Sequence, residues 1–429
     1  MIRKVTIKGY KSLSDAQVEL QPLTVIIGPN AAGKSNLFDA LGLLSRIVTS
    51  STLSDAFKEH RGAPLEAFYY GERGLEGLQK RTSAEFTIEV DVELSDKVVE
   101  AVEKRISEMR KGLPDEGGRT GTPRRFVIET RLRYALSVQI MVDSGYLRVV
   151  KENLVALKSD GTLNARRRPF IEPVGRRLRL RLEGQARPTE HEVGLDRALV
   201  STPLYPPHYP HITAFREELS RWRFYYFEPE RMRNETPLKE VESLGAFGAD
   251  LAAFFNTLKS TNRRQFDALN KALRSLLPNV QRLDVERTPE GFLRLQVFEG
   301  DVPFSARVIS EGTLRVLGLL AITHPLAPTT VIGYEEPENG IHPRRLQLVA
   351  ELLRTASDEG KQILVNTHSP KLPEYFFEGP ALVVCRKEGG VTTFAPLQDF
   401  GPIFRPEKVD EALTETPFMQ RTLRGDFGG

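Results

Sequence analysis

Apolar positions along this chain follow three patterns, and the changes between them mark its organisation. Leu23 to Ile27 is an unbroken apolar run that predicts a buried strand, as do Thr330 to Tyr334 and the QILVNT segment before His368. In EFTIEVDVEL, Phe86, Ile88, Val90, Val92 and Leu94 alternate with polar neighbours, the pattern of a strand with one covered face. RFVIETRLRYAL and SVQIMVDSGYLRVV continue that alternation, with Asp143-Ser144-Gly145 as the hairpin turn. Helical spacing appears elsewhere. It predicts a helix over about Asp96 to Lys111, one within Ala306 to Ala321, and one after Pro343 that carries Leu346, Val349, Leu352 and Leu353 and stops at Gly360. GADLAAFFNTLKS and FDALNKALRSLLP read as two amphipathic packing helices. Gly112 to Arg125 reads as a flexible stretch, and the proline-rich Ser201 to Pro210 as a semi-rigid linker. Arg223 to Phe227 predicts a strand whose Phe224, Tyr225, Tyr226 and Phe227 serve as buried aromatics rather than a base-stacking platform, and one or two strands are expected after Phe377.

The loop after the first buried run carries the chemistry. TVIIGPNAAGKSN places Gly28, Gly33, Lys34 and Ser35 in the spacing GxxxxGK[ST] between a strand and a helix. Small residues let successive backbone N–H groups turn toward one centre, where a phosphate group fits, and the helix start adds its positive dipole end. Asn30, Ala31, Ala32, Gly33, Lys34, Ser35 and Asn36 are therefore the expected nucleotide-binding residues. Lys34 brings a mobile charge to the phosphates and the Ser35 hydroxyl a ligand for Mg²⁺.

A second constellation lies some three hundred residues on. The strand ending at Tyr334 leads into Glu335 and Glu336, and is expected to run parallel to and beside the phosphate-loop strand. One carboxylate there can organise the Mg²⁺ shell while its neighbour takes a proton from an attacking water. His368 follows the next strand, within reach of a γ-phosphate. Ser310, Glu311 and Gly312 precede an apolar helix. They offer either a further anion site at a helix start or an ordinary Ser-capped core helix.

Between these parts lies an individual module. RLRLRL sets Arg177, Arg179 and Arg181 on one face and Leu178, Leu180 and Leu182 on the other, with Arg166, Arg167 and Arg168 before it and Arg131 and Arg133 on another strand. Such a face could track a phosphate backbone, or could protect an exposed strand against edge-to-edge pairing; Glu172, Glu183 and Glu190 dilute its field.

Composition adds little direction. The 60 Lys and Arg against 57 Asp and Glu leave a net charge of +3, which does not point to nucleic acid. With 429 residues, two or three structural units are expected. The single cysteine, Cys385, excludes a disulfide framework, reads as a small buried hydrophobe and fits a reducing, cytoplasmic setting. No leader pattern precedes the first strand, and the longest apolar run, Leu314 to Ile322, is broken by Arg315 and ends at His324-Pro325, so no membrane association is expected.

IRKVTIKGYKSLSDAQVELQPLTVIIGPNAAGKSNLFDAL, ISEGTLRVLGLLA, IGYEEPENGIHP and VNTHSP, in this order, resemble the ABC-type ATPases of the RecF, SMC and OLD group, and within it the stand-alone AAA_21-like branch. The resemblance covers residues 1 to about 50 and Arg223 to Phe377. It implies an α/β P-loop NTPase head interrupted by an inserted β-rich arm: residues 1–84 and 223–429 for the head, 85–222 for the arm and linker. It further implies ATP and Mg²⁺ as cofactors, with Lys34 and Ser35 as Walker A residues and Glu335 and Glu336 as the Walker B pair, Glu335 toward the metal and Glu336 as base. Ser310, Glu311 and Gly312 become a signature acting in trans on a partner's nucleotide, Asn339 part of the D-loop and His368 the switch histidine. A homodimer with ATP between the protomers follows from the same resemblance. The SEGT signature, Glu335 where many relatives carry Asp, and Gln79 as a weak Q-loop match imply slow or partner-stimulated turnover. The implied setting is DNA maintenance or anti-phage defence with DNA or RNA as partner. A regulatory scaffold for a separately encoded effector is the alternative, and a transporter subunit a third reading.

Overall fold

A computed structural model of the chain describes residues 1–71, 73–110, 125–183, 188–376 and 381–400. Most of the stretch expected to be flexible, 112–125, lies outside them, as does the tail from 401. The described chain forms two compact units. One comprises Met1–Leu20, Ala31–Trp222 and Arg386–Phe394; the other Gln21–Asn30, Arg223–Cys385 and the residues from Ala395.

The first unit is built on the period-two segments. Strands β1 (Ile2–Tyr10) and β2 (Leu13–Glu19) pair antiparallel, and β1 pairs on its other edge with β4 (Ser83–Glu93). The intervening β3 (Leu23–Ile27) belongs to the other unit. Outward from β4 the sheet continues through β5 (Arg131–Met141), β6 (Leu147–Ala156), β7 (Ile171–Val174), β8 (Arg177–Leu180) and β9 (Thr189–Glu192), giving eight strands in the order β2-β1-β4-β5-β6-β7-β8-β9. The β-rich module is thus one sheet with the N-terminal hairpin, because Val5 and Ile7 of β1 stand opposite Val90 and Ile88 of β4 and share their buried face. β5 starts at Arg131 rather than at RFVIE, and Gly145 closes the expected turn at φ 68°.

Helices α1 (Lys34–Thr49), α2 (Leu53–Phe57), α3 (Gly74–Gln79), α4 (Asp96–Arg110) and α5 (Pro210–Ser220) complete this unit. The proline-rich segment is not a linker. Val200, Pro206, Pro207 and Pro210 are buried, two short 3-10 turns occupy Leu199–Ser201 and Pro206–His208, and Pro210 opens α5. Proline fits the first turn of a helix, where its missing N–H costs nothing, so the segment begins packed structure.

In the second unit, β10 (Trp222–Tyr225), α6 (Pro229–Met232) and the short β11 (Thr236–Pro237) lead to α7 (Leu251–Thr261) and α8 (Arg263–Leu276). β12 (Arg282–Arg287), β13 (Phe292–Glu299) and β14 (Val302–Ser305) form an antiparallel sheet with β11. Then come α9 (Glu311–Thr323), β15 (Val331–Glu335), α10 (Leu346–Asp358), β16 (Gln362–Thr367), β17 (Ala381–Glu388) and β18 (Val391–Pro396). Pro343 opens a 3-10 turn, Pro343–Arg345, immediately before α10.

The central sheet runs β10-β15-β16-β3-β17-β18. Its middle, β15-β16-β3-β17, is parallel, and every residue of β3, β15 and β16 is buried, as strands covered on both faces require. The strand carrying the paired glutamates is therefore not beside β3. β16 separates them, because the short crossover through α10 lays β16 against β15 and leaves its other edge for β3. Cys385 is buried in β17. Among the described residues no helix is long and apolar enough to cross a membrane.

Candidate nucleotide site

The phosphate loop leaves β3 at Ile27 and enters α1 at Lys34, as its spacing requires. Ala31 and Gly33 both have left-handed backbone, φ 63° and 100°, which turns neighbouring N–H groups into one concavity. Gly33 is obligatory for a second reason: a Cβ there would overlap the hydroxyl of Thr392. Thr392 is a support that sequence reasoning missed. Its Oγ1 donates to the carbonyl of Ala32 at 2.7 Å, its N–H donates to the carbonyl of Ser12 at 2.9 Å, and Ser12 Oγ accepts from Asn36 Nδ2 at 2.7 Å. Ser12 and Thr392 together brace the loop and the start of α1. Only the pairing of segments 380 residues apart reveals them. Lys34 is buried and Ser35 half-buried.

Beside Ser12 and Asn36 opens a cleft of about 490 Å³, with Lys11, Arg61, Tyr69 and Tyr70 in its walls. Lys11 is anchored to Asp39 at 2.7 Å. Gln79 is exposed at the last residue of α3 and does not line this cleft.

In the second unit, Glu335 ends β15 with 7 % of its surface exposed. Glu336 then turns into the left-handed region at φ 49°, a conformation that costs a non-glycine residue about 1 kcal/mol or more and is held here by its N–H donating to the carbonyl of Asn366 at 2.9 Å. The turn brings three expected residues together. Glu336 Oε1 lies 3.1 Å from His368 Nδ1, and Glu336 Oε2 accepts from Asn339 Nδ2 at 2.5 Å.

Ser310, Glu311 and Gly312 stand at the start of α9, and here Ser310 caps the helix: its Oγ accepts from the N–H of Thr313 at 3.2 Å. The segment also abuts the loop after Glu336, since a Cβ on Gly312 would overlap the carbonyl oxygen of Gly340. Gly340 and Glu338 carried no assigned role at the level of sequence, although PENG lay within a recognised motif.

The arginine face of β8 is not free. Arg177 pairs with Glu190 at 2.7 Å, Arg179 with Glu190 at 3.2 Å and Glu172 at 3.5 Å, and Arg181 with Glu172 at 3.1 Å. Arg133 is likewise held by Asp91 and Arg131 by Glu93, while Arg167 reaches Glu183. Of the two readings of this face, the charge-balanced strand is the one these pairs support.

Two family models match the chain. Residues 1–162 match the model described as "AAA ATPase domain", and residues 207–372 the one described as "AAA domain, putative AbiEii toxin, Type IV TA system". Two stretches of the chain thus match AAA-type ATPase domains, and the fold is that of a P-loop NTPase. Solved structures agree on the fold of this ATPase. An SMC head bound to the C-terminal winged-helix domain of ScpA is similar over 92 % of this chain and 97 % of that one, at 14 % identity and a TM-score of 0.54. An SMC head with an extended coiled coil, bound to the C-terminal domain of ScpA derived from Pyrococcus furiosus, is similar over 96 % and 98 %, at 13 % identity and a TM-score of 0.51. No individual curated protein matches.

Proposed function

We propose that this ATPase hydrolyses Mg²⁺-ATP in a nucleotide-gated homodimer, with Glu336 as the general base. The observation that carries the reading is the Glu336, Asn339 and His368 cluster at the ends of two parallel strands, in a chain whose phosphate loop has the left-handed turns of an anion cradle.

The residues fit both groups. Ala31 and Gly33 shape a cradle for the β- and γ-phosphates, to which Lys34 adds charge, and the adjoining 490 Å³ cleft is of the size that takes a nucleoside. The Ser35 hydroxyl and the Glu335 carboxylate are hard oxygen donors of the kind Mg²⁺ accepts. When bound, that ion neutralises charge on the phosphate oxygens.

In the reaction the attacking water forms a bond to the γ-phosphorus as the bond to the bridging oxygen of ADP breaks. Glu336 takes the proton that the water sheds. His368 steadies Glu336 before attack and meets the γ-phosphate oxygens from its other ring nitrogen. Ser310, Glu311 and Gly312, at a helix start, cap the γ-phosphate of the partner's nucleotide.

For the biological setting we propose anti-phage defence or DNA maintenance; the matched family model is itself described by a putative toxin of a type IV TA system. The ion-paired arginines at β8 speak against direct nucleic-acid contact through that strand, and a separately encoded effector is the alternative setting.

Glu336→Gln tests the chemistry. The variant should bind ATP, slow turnover by about two to four orders of magnitude, and elute as an ATP-dependent dimer in size-exclusion chromatography with light scattering. Wild-type turnover in this variant would remove Glu336 as base, and a monomer in every nucleotide state would remove the dimer.

A further inference from the structure

The loop after Glu336 holds a third carboxylate whose placement a simple turn does not require. Glu338 has 9 % of its side chain exposed, and its Oε1 accepts from the hydroxyl of Thr367 and from the N–H of Ser369 at 3.2 Å. Those two donors flank His368. The same Oε1 lies 3.8 Å from His368 Nδ1, the nitrogen that also faces Glu336 at 3.1 Å.

We propose that Glu338 is the positioning residue of this ATPase site: it holds the hydroxyl of Thr367 and the backbone N–H of Ser369, on either side of His368, and so holds the imidazole against Glu336. The inference rests on the functional reading given to Glu336 and His368 above.

Three observations support it. The clasp is long-range, tying the loop after β15 to the end of β16 through residues 29 and 31 positions apart, so it fixes one strand end against the other. Its geometry also determines the ring. Nδ1 faces one carboxylate oxygen of each of Glu336 and Glu338, so the ring stands with that nitrogen toward Glu336.

The clasp is moreover poor as a device for stability. Glu338 Oε2 is buried and has no partner among the described residues, and burial pushes the carboxyl above its usual range. A buried acid with one oxygen unpaired costs free energy that a neutral side chain would not. A residue serving stability alone would not be a carboxylate here.

The test compares Glu338→Ala and Glu338→Gln in the full chain. Alanine removes the acceptor and frees the loop, and misplacing a catalytic group by about 1 Å can cost about a hundredfold. kcat should therefore fall at least about tenfold in Glu338→Ala while KM for ATP stays within about threefold. Glutamine keeps an acceptor oxygen for Thr367 and Ser369 and should recover most of that loss. Selective ¹³C labelling of the 7 histidine rings, with His368→Gln to assign the peak, reads the clasp without hydrolysis. In nucleotide-free protein the His368 resonance should move in Glu338→Ala and stay near its wild-type place in Glu338→Gln. Wild-type kcat in a folded Glu338→Ala protein, or an unmoved His368 resonance, overturns the proposal. If the wild type itself hydrolyses no ATP, the functional reading fails and the resonance alone decides whether the clasp exists.

Discussion

Gly312 and Gly340 stand in direct backbone contact, so close that a Cβ on Gly312 would overlap the carbonyl oxygen of Gly340. The start of α9 is thereby keyed to the loop that carries Glu336, Glu338 and Asn339, within one unit of one chain. If the segment meets a second protomer's nucleotide as proposed, its movement would reach Glu336 through this contact. Gly312→Ala should force the two backbones apart at about 1–3 kcal/mol, the usual cost of overpacking, and lower both Tm and ATP turnover. An unchanged Tm and turnover would show that the contact yields freely and couples nothing.

The composite site can be tested by mixing inactive chains. In a heterodimer of Lys34→Ala with Ser310→Arg, one site carries both lesions and the other carries none. ATP hydrolysis absent from either parent should return in the mixture. No recovery, with the heterodimer demonstrated by differential tags, would exclude trans action of Ser310.

Replacing Arg177, Arg179 and Arg181 together by Gln tests the β8 face. Because each guanidinium is already ion-paired, any binding of DNA or RNA by the protein should keep its affinity and its salt slope. The Arg177–Glu190 pair is exposed and contributes little, whereas the pairs of Arg179 and Arg181 with Glu172 are partly buried, so Tm should fall. A slope that flattens by about one unit per lost arginine, measured by fluorescence anisotropy across salt, would restore the phosphate-tracking role.

His60 makes the first unit sensitive to acid. Burial, aided by the charge of Lys11, pushes its pKa down to about 4, and its Nε2 shares a hydrogen bond with the Tyr10 hydroxyl at 2.8 Å. Between the ordinary value of 6.5 and about 4 the unfolded chain binds a proton that the folded chain refuses. This contribution to stability is present above pH 6.5 and lost as pH falls toward 4. Glu152 acts in the opposite sense: burial raises it to about 6, so its contribution is lost as pH rises through that value. The difference between wild type and His60→Gln isolates the histidine. In urea titrations that difference should shrink from pH 7 to pH 4, and a constant difference would dismiss the mechanism.

Sequence by itself determined the parts of this protein whose signals are local. β3 is bounded at Leu23 and Ile27 as its apolar run predicts, α1 starts at Lys34, α4 starts at Asp96 and ends within a residue of its expected end, and Ser310 caps α9. Each depends on neighbours a few residues away, through periodicity, a cap or a glycine that must turn. The strand–loop–helix frame around Gly28 to Ser35 was legible for the same reason, since its turns belong to the backbone of one short segment.

Tertiary structure alone decided what long-range pairing decides. It put β16 between the acidic strand and β3, made the β-rich module continuous with the first hairpin, packed Pro206 and Pro210 into helix starts, and matched Arg177, Arg179 and Arg181 with glutamates. It also set Thr392 beneath Gly33 and Glu338 around His368. None of these follows from a window of sequence, because a strand's two edges and a buried side chain's partners are chosen by whichever distant surface covers the most apolar area and satisfies the most hydrogen bonds.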